Sequence, residues 1–469
     1  MSERYRTERD SLGAMEVPAE AYWGAQTQRA VENFPISGIT FGRRFIRALG
    51  VVKLAAVRTN VELGLVDATV GAAIETAAEA VIAGELDDQF VVDVFQTGSG
   101  TSSNMNANEV IANRAAEELG ESRGERSVHP NDHVNYGQSS NDVVPTAMHI
   151  AVREAVWDDV IPALRHLRDT LRSRAEEFDT VVKTGRTHLQ DATPITLGQE
   201  FTGYATQIAH GVDRLEATDP HLAELALGGT AVGTGLNTHP EFPTRAATAI
   251  SAITELEFTP AESHFEAMAA HDAMAEVHGA LRTVAGSLHK IANDLRLLAS
   301  GPRNGMGEID QPENQPGSSI MPGKINPVVA EAVNQVHAAI LGNDVTVATG
   351  AAGGQLELNL FKPVIAHRTL ESCGLLSRGA QVFADRFIAR LDADTDQIAA
   401  QVEQSMALAT ALNPSIGYDA AAAVAKEATS TGRSIREVAI AQGHLTPEQA
   451  DLVLDPRRMT ERGILGDDA

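Results

Sequence analysis

The chain has 469 residues, of which 43% are hydrophobic and only 4% aromatic, and its formal net charge is -26 at pH 7. The length allows about three domains or one large core, and so acidic a chain excludes nucleic acid as a favoured partner, because phosphate binding needs basic surfaces. The single cysteine, Cys373, excludes an intrachain disulfide and favours a reducing cytoplasm, and no run approaches the roughly 18 apolar residues of a membrane span.

The N-terminus and the overall charge add two expectations. Met1 to Leu12 is charged throughout and does not resemble a secretory signal, which agrees with a cytoplasmic protein. A surface this acidic repels itself in dilute buffer, whereas at about 1 M salt the Debye length falls to roughly 3 Å and the repulsion is screened. We therefore hypothesise a halophilic host, with an ordinary acidic protein as the alternative.

Apolar spacing predicts an all-α fold of long helices packed side by side. The first stripe runs from Met148 to Leu171, and the second runs from Met274 to Leu298 with alternating steps of three and four until Gly301-Pro302 stops it. A third helix follows Asn326 and Pro327, a favoured N-cap and first-turn pair. Seams of this length need helical partners along their whole extent, as in a bundle.

The segments between and after these helices suggest a division into domains. Residues 301–323 have no apolar period and form a loop long enough to be functional and mobile. From about Asp396 glycine and proline break the chain into short helices. We predict an N-terminal, mainly helical domain at 1–138, a central long-helix bundle at 139–395 and a small C-terminal helical domain at 396–469.

Four polar clusters stand out against the Ala-rich helices. Each lies in a turn or at a helix start and offers small hydroxyls, amides or free N-H groups, which suit a carboxylate ligand. Taken singly, such clusters are more often helix caps and turns; only their combination indicates an anion site. The clusters are Gly98–Thr101 with Asn104, Ser139–Asp142, Gly185–His188 and Gly317–Asn326.

Two other interpretations of these polar residues fail. In a phosphate loop the second glycine would fall where Pro322 stands, and Ile325 replaces the hydroxyl that binds magnesium. His129 and His133 have the spacing of helical zinc ligands, but the Pro-Asn that follows His129 indicates a loop. We predict neither a metal site nor a cofactor.

The eleven residues from Gly317 to Pro327 resemble the shared motif of the fumarase/aspartase superfamily. The similarity extends to residues 23–27, 96–104, 129–132, 185–192 and 228–237. Within the superfamily, His188 resembles the class II fumarases, because aspartases carry Gln there, and the form of Ser139–Asp142 is also fumarase-like. Two features depart from that pattern: Gln315 replaces a common Glu, and the segment 328–336 is similar to aspartases.

The resemblance implies a metal-independent lyase that adds water in trans to fumarate to give L-malate, a step of the tricarboxylic acid cycle. It also implies a homotetramer with a 20-helix core. In this family the clusters around 139, 188 and 318 come from three different subunits, so that each of four active sites is shared.

The resemblance further assigns roles to individual residues. Ser318 would take the proton, His188 would handle the leaving hydroxyl, and Glu331 would orient that histidine. The substrate ligands would be Ser99, Gly100, Thr101, Ser139, Ser140, Asn141, Thr187, Ser319, Lys324, Ile325 and Asn326. A second dicarboxylate site would comprise His129, Pro130, Asn131 and Asp132.

Two rival functions remain open at this point. An aspartate ammonia-lyase has local support from the segment 328–336 alone. A catalytically silent helical scaffold would have lost Ser318, Lys324 or His188, and all three are present.

Overall fold

The computed structural model describes residues 5–463, and the outermost residues of the first and third predicted domains, 1–4 and 464–469, lie outside the described residues. Long helices dominate the described chain, and its short strands form four two-stranded sheets. The predicted all-α fold class is confirmed. None of the helices in this part of the chain combines the length and the apolar content that crossing a bilayer requires.

The helices and strands are numbered in chain order. The α-helices are α1 (Ala25–Asn33), α2 (Arg43–Glu62), α3 (Ala68–Ala83), α4 (Thr101–Glu118), α5 (Ser140–Glu154), α6 (Ile161–Glu177), α7 (Leu197–Glu216), α8 (Asp219–Leu222), α9 (Phe242–Thr254), α10 (His264–Ala269), α11 (Asp272–Leu298), α12 (Val328–Ala351), α13 (Lys362–Arg386), α14 (Thr395–Gln404), α15 (Asn413–Ile416), α16 (Tyr418–Thr431), α17 (Ile435–Ala441) and α18 (Pro447–Val453). The strands are β1 (Tyr5–Asp10), β2 (Gly13–Pro18), β3 (Val182–Thr187), β4 (Gln190–Thr196), β5 (Glu224–Leu225), β6 (Thr259–Pro260), β7 (Ile309–Asp310) and β8 (Asp392–Ala393). Two π-helical segments (Pro130–Val134 and Ala155–Val160) and four 3-10 segments (Asp87–Gln89, Ile388–Arg390, Met406–Leu412 and Arg458–Thr460) complete the helical structure of residues 5–463.

The predicted apolar seams lie inside long helices, as their spacing indicated. Every seam residue of α11, from Met274 to Leu298, is at most 5% exposed. The first stripe, Met148 to Leu171, continues from α5 through the π-helical segment into α6 and is fully buried. The third helix, α12, begins at Val328, directly after Asn326 and Pro327. Burial of these faces supplies most of the stability of such helices.

The chain divides into two compact units. Unit 1 comprises the described residues up to Pro162 together with Asp213–Ala285 and Ala338–Ser377. Its centre includes α2, in which fourteen of twenty residues are buried. Cys373 also belongs to this unit and is 1% exposed, and burial raises the pKa of its thiol to about 12.

Unit 2 comprises Ala163–Val212, Gly286–His337 and the described residues from Arg378 onward. Its C-terminal part has an apolar cluster of its own between Leu408 and Leu454. Two of the short helices there begin with capping boxes, Ser434 with Glu437 and Thr446 with Gln449, which satisfy the first N-H groups of each helix. The division into domains at 1–138, 139–395 and 396–469 stays a prediction.

Candidate active site

The predicted site residues fall into two sets, one in each unit. Unit 1 holds the substrate ligands Ser99, Gly100, Thr101, Ser139, Ser140 and Asn141 and the second-site residues His129, Pro130, Asn131 and Asp132. Unit 2 holds Thr187, His188, Ser318, Ser319, Lys324, Ile325, Asn326 and Glu331.

In unit 1 the segment Gly98–Thr101 forms a tight turn that leads into α4. Gly100 precedes the helix with a φ of 81°, a left-handed conformation that favours glycine. Gly98 lies against the backbone, since a Cβ added to it would be 2.0 Å from the carbonyl oxygen of Leu360. The hydroxyls of Ser99 and Thr101 are 2.8 Å apart. The turn therefore places two hydroxyls at the start of a helix, where an anion is favoured.

The second segment of unit 1 begins α5. Ser139 is the N-cap, and its side chain accepts the N-H of Asn141. The amide of Asn141 donates to the carbonyl oxygen of Ala231 at 2.8 Å. The amide of Asn104, in α4, donates to the hydroxyl of Ser140 at 3.0 Å. Unit 1 thus brings together the two predicted substrate-binding segments, joined by a buried hydrogen bond.

Buried ionisable groups lie behind these segments. The fully buried carboxylate of Asp142 accepts N-H groups from Ser139, Gly228 and Thr230 at 2.9 to 3.0 Å. Burial raises the pKa of Asp142 to about 6, although these hydrogen bonds and the nearby Lys53 oppose the rise. Lys53 is 0% exposed and donates to the side-chain oxygens of Asn135 and Gln138.

The buried charges of Asp142 and Lys53 were not predicted from the sequence. A signal for Lys53 was present, because this lysine stands inside an apolar run, Val51-Val52-Lys53-Leu54-Ala55. A lysine within such a run is buried only when polar partners accept hydrogen bonds from its ammonium group.

The predicted second site also lies in unit 1. His129 caps the π-helical segment, and its Nδ1 accepts the N-H groups of Asn131 and Asp132 at 3.2 and 3.1 Å. Pro130 is buried as the first residue of the segment, whereas Asn131 and Asp132 are exposed. The last two residues line a cleft of about 800 Å³ together with Asn135 and His239.

His133 is not arranged as a partner of His129 in metal binding. Its Nδ1 accepts the backbone N-H of His129 at 2.9 Å, so this nitrogen is already engaged. Between residues 5 and 463, no group of three or more His, Cys, Asp and Glu side chains is placed to hold a metal ion.

In unit 2, His188 lies at the tip of a β-hairpin. The strands β3 and β4 pair antiparallel, with Thr187 opposite Gln190, so that His188 and Leu189 form a two-residue turn. Both have positive φ, 56° and 60°, as a type I′ turn requires. The turn exposes Thr187 and His188.

A buried ion network fixes the base of this hairpin. The ammonium group of Lys183, in β3, is 3.1 Å from both Glu200 and Glu308. Arg186 in the same strand pairs with Glu308 and donates to Gln401 at 2.9 Å. Lys183 and Glu308 are at most 1% exposed, which makes these contacts strong and costly to break. The network holds the strand that carries Thr187 and His188.

Ser318 lies in the long loop between α11 and α12. Its Oγ accepts the N-H groups of Ile320 and Met321 at 3.2 and 3.0 Å. Gly317 is packed so closely that an added Cβ would be 1.9 Å from the carbonyl oxygen of Lys324. The loop thus folds back on itself and presents the hydroxyl of Ser318 beside two donors.

The remaining residues of unit 2 surround this loop. Ser319 and Lys324 are exposed, and Ile325 is half-buried with its carbonyl oxygen accepting from Gln311 at 3.2 Å. The amide of Asn326 donates to the carbonyl oxygen of Gly317. Gln315, which replaces the glutamate common in the family, is exposed, and nothing in the structure explains this replacement.

Glu331 lies one turn into α12 and is half-buried. No hydrogen bond or ion pair joins it to His188 within the described part of one chain. The predicted pairing of these two residues therefore requires either a movement or a second copy of the chain.

Comparison with known proteins identifies the family. Residues 13–342 match the family model described as Lyase, and residues 408–461 match Fumarase C C-terminus. The chain is 69% identical over 469 residues, all of both chains, to Fumarate hydratase class II of Halobacterium salinarum, a halophile. It is 55% identical over 460 residues, 98% of this chain and 100% of the relative, to Fumarate hydratase class II of Nitrosomonas europaea.

A solved structure agrees with these relatives. The recombinant class II fumarase of Schistosoma mansoni superposes with a TM-score of 0.95 and 41% identity, over 97% of this chain and 99% of that chain. The resemblance to the fumarase/aspartase superfamily, and to its class II fumarases, is confirmed. Because both family models and the full length of its relatives match, the chain belongs to the class II fumarate hydratase family.

Proposed function

We propose that this chain catalyses the reversible trans addition of water to fumarate, giving L-malate, as a step of the tricarboxylic acid cycle. The observation that carries the proposal is the presence of exposed His188 and Lys324 and half-buried Ser318 in a chain whose whole length matches class II fumarate hydratases. His188 is the residue that separates this reaction from the release of ammonia by an aspartase.

Stabilisation of charge is the main chemical demand. Removing water from malate requires loss of a weakly acidic proton from the carbon next to a carboxylate, and the resulting aci-carboxylate carries two negative charges. Lys324 and Asn326 hold that group. The other carboxylate contacts hydroxyl and amide side chains of unit 1, which belong to Ser99, Thr101, Ser139, Ser140 and Asn141. Gly100 contributes its backbone. Thr187 and Ser319 of unit 2 add two further hydroxyls.

Ser318 is the base in this proposal. A serine hydroxyl is too weakly acidic to act unaided, so it needs donors that stabilise its alkoxide. The N-H groups of Ile320 and Met321, at 3.2 and 3.0 Å from its Oγ, are such donors, and they support this role. The ammonium group of Lys324 adds positive charge from the same loop.

His188 delivers the proton to the leaving hydroxyl, through water, and Glu331 orients its imidazole ring. No hydrogen bond or ion pair joins His188 to Glu331 among residues 5–463 of one chain, which supports a site assembled from several chains. The active form is a homotetramer with a 20-helix core, and its clusters around 139, 188 and 318 come from three subunits.

The second dicarboxylate site belongs to the proposal as well. Nδ1 of His129 accepts two N-H groups, which fixes the ring and leaves Nε2 to bind a carboxylate. Asn131 and Asp132 border the adjoining cleft of about 800 Å³. The enzyme works in the cytoplasm without nucleic acid or membrane partners, and the reaction uses neither metal nor cofactor.

An absorbance assay tests the reaction directly. Purified protein mixed with fumarate should lower its ultraviolet absorbance at an unchanged rate when a chelator is present. Fumarate with ammonium should yield no aspartate. Formation of aspartate, or no loss of fumarate at any salt concentration, would reject the proposal.

The shared site has a separate test. Two inactive variants, His188→Asn and Ser318→Ala, are unfolded and refolded together so that mixed tetramers form. If the two residues come from different chains, about a quarter of the sites regain both native groups. No recovery in verified mixed tetramers, or an active monomer on sedimentation, would contradict a site made by several subunits.

A further inference from the structure

Lys362, the first residue of α13, contacts both substrate-binding segments of unit 1. Its backbone N-H donates to the carbonyl oxygen of Gly98 at 3.2 Å. Its ammonium group donates to the carbonyl oxygen of Asn141 at 2.9 Å. One residue thus joins the turn before Ser99 to the first turn of α5. The side chain is 0% exposed, so bulk water does not compete for these hydrogen bonds.

The charges around Lys362 do not balance. Asp142, in α5, is the carboxylate that attracts it, and the same carboxylate attracts Lys53 of α2. Two histidines face the same region, His271 before α11 and His149 of α5, and burial lowers the pKa of both, so that they are neutral near pH 7. Two lysines therefore share one carboxylate.

Burying two lysines beside one carboxylate costs folding free energy when no ligand is bound. Burial lowers the pKa of both lysines to about 7 and raises that of Asp142, because each charged form loses hydration. A buried ammonium group without a full counterion stays charged when a nearby anion supplies the missing negative charge. The segments joined by Lys362 are those proposed to receive a carboxylate of the substrate.

We propose that Lys362 is a positioning residue for the dicarboxylate: it fixes the two substrate-binding segments to each other, and its ammonium group places positive charge directly behind them. This inference rests on the proposed function of the site. Lys362 does not contact the reacting carbon, and its effect on the substrate passes through Gly98 and Asn141.

The first test separates substrate binding from turnover. Lys362→Met keeps most of the length of the side chain but removes the charge and the hydrogen bond to Asn141. We expect KM for fumarate to rise by about tenfold or more, with a smaller fall in kcat. Lys362→Arg retains a cation and donors and should recover part of the loss. If Lys362→Met does not fold, the arginine variant carries the comparison.

Lys53→Met is the matched control, because it removes an equally buried ammonium group that bonds neither segment. It should raise KM by less than about threefold. Equal KM values for wild type and Lys362→Met, or equal effects of the two methionine variants, would overturn the inference.

The second test measures protons taken up on binding. Calorimetric titration with succinate at pH 8, in two buffers of different ionisation enthalpy, reports proton uptake. An anion near Lys362 raises its pKa, so wild type should take up protons and Lys362→Met fewer. Equal uptake would overturn the inference. A wild type that binds succinate but does not hydrate fumarate would reject the proposed function, whereas an active wild type with unaffected variants rejects only this inference.

Discussion

The two sets of site residues are held in different ways. In unit 1 the segments at 98–101 and 139–141 are buried or half-buried, joined by the hydrogen bond between Asn104 and Ser140, and backed by buried charges. In unit 2, His188 lies on an exposed turn, and Ser318 lies in a long loop. The half proposed to bind a carboxylate is preorganised, whereas the half proposed to move protons is presented outward from its own chain. Substitutions in unit 2 should therefore affect turnover, whereas those in unit 1 should affect stability and substrate binding.

The largest effect is expected in unit 2, on turnover alone. His188→Asn and Ser318→Ala should each lower kcat by about two to four powers of ten, as loss of an acid-base group does. The melting temperature should stay within a few degrees of wild type, because neither side chain supports buried structure. The control is His444→Asn, a half-buried histidine between α17 and α18. Near-wild-type rates would refute both roles.

Gly98→Ala probes the rigid half and should affect stability and binding together. The new Cβ would be 2.0 Å from the carbonyl oxygen of Leu360, so the backbone has to shift. Overpacking of this kind costs about 1 to 3 kcal/mol of unfolding free energy, and a raised KM should accompany it. Gly42→Ser is the matched control, since Gly42 is a helix N-cap in open space. Unchanged melting and KM would show that the segment is not rigid.

Lys53→Met tests the buried charges of unit 1 through the pH dependence of the unfolding free energy. Burial lowers the pKa of Lys53 in the folded chain to about 7, below its ordinary value of 10.5, so between these pH values the unfolded chain binds more protons than the folded one. The contribution of Lys53 to stability therefore rises as pH rises through this window. Between pH 7 and pH 9 wild type should gain about 2 kcal/mol relative to Lys53→Met. Denaturant unfolding at both pH values measures the difference, and an equal change in unfolding free energy for the two proteins would contradict a lowered pKa for Lys53.

Salt should act on the surface rather than on either half of the site. With a net charge of -26, screening by KCl should raise the melting temperature and the activity into the molar range. The effects of Gly98→Ala and Lys53→Met on unfolding should persist in high KCl, because buried contacts are screened little. A salt optimum near zero would remove the halophilic hypothesis.

Much of the fold could be predicted because helical spacing is a local property. The seam from Met274 to Leu298 repeats regularly enough to fix a helix and its buried face, and Asn326-Pro327 marks the start of α12 within two residues. The hairpin that carries His188 was predicted only as a turn. Its two-residue tip uses positive φ at His188 and Leu189, and His-Leu is not among the pairs, such as Asn-Gly, that predict this turn.

The site could be predicted from a motif but not from physical pattern alone. Small polar residues at helix starts serve equally well as caps, and Ser139 is indeed the cap of α5. The roles of Lys53 and Lys362 depend on contacts between residues more than 80 and 200 positions apart, Lys53 with Asn135 and Lys362 with Asn141. Sequence spacing carries no information about such contacts.

The burial of Cys373 makes the chain a convenient host for a reporter. Its thiol is 1% exposed and its pKa is raised to about 12, so maleimide reagents at neutral pH should leave the native protein unlabelled. A cysteine introduced by Ile320→Cys, at a position 83% exposed beside Ser318, would then be the sole reactive thiol. A fluorophore attached there would follow the loop that carries Ser318 during turnover without removal of any native residue elsewhere.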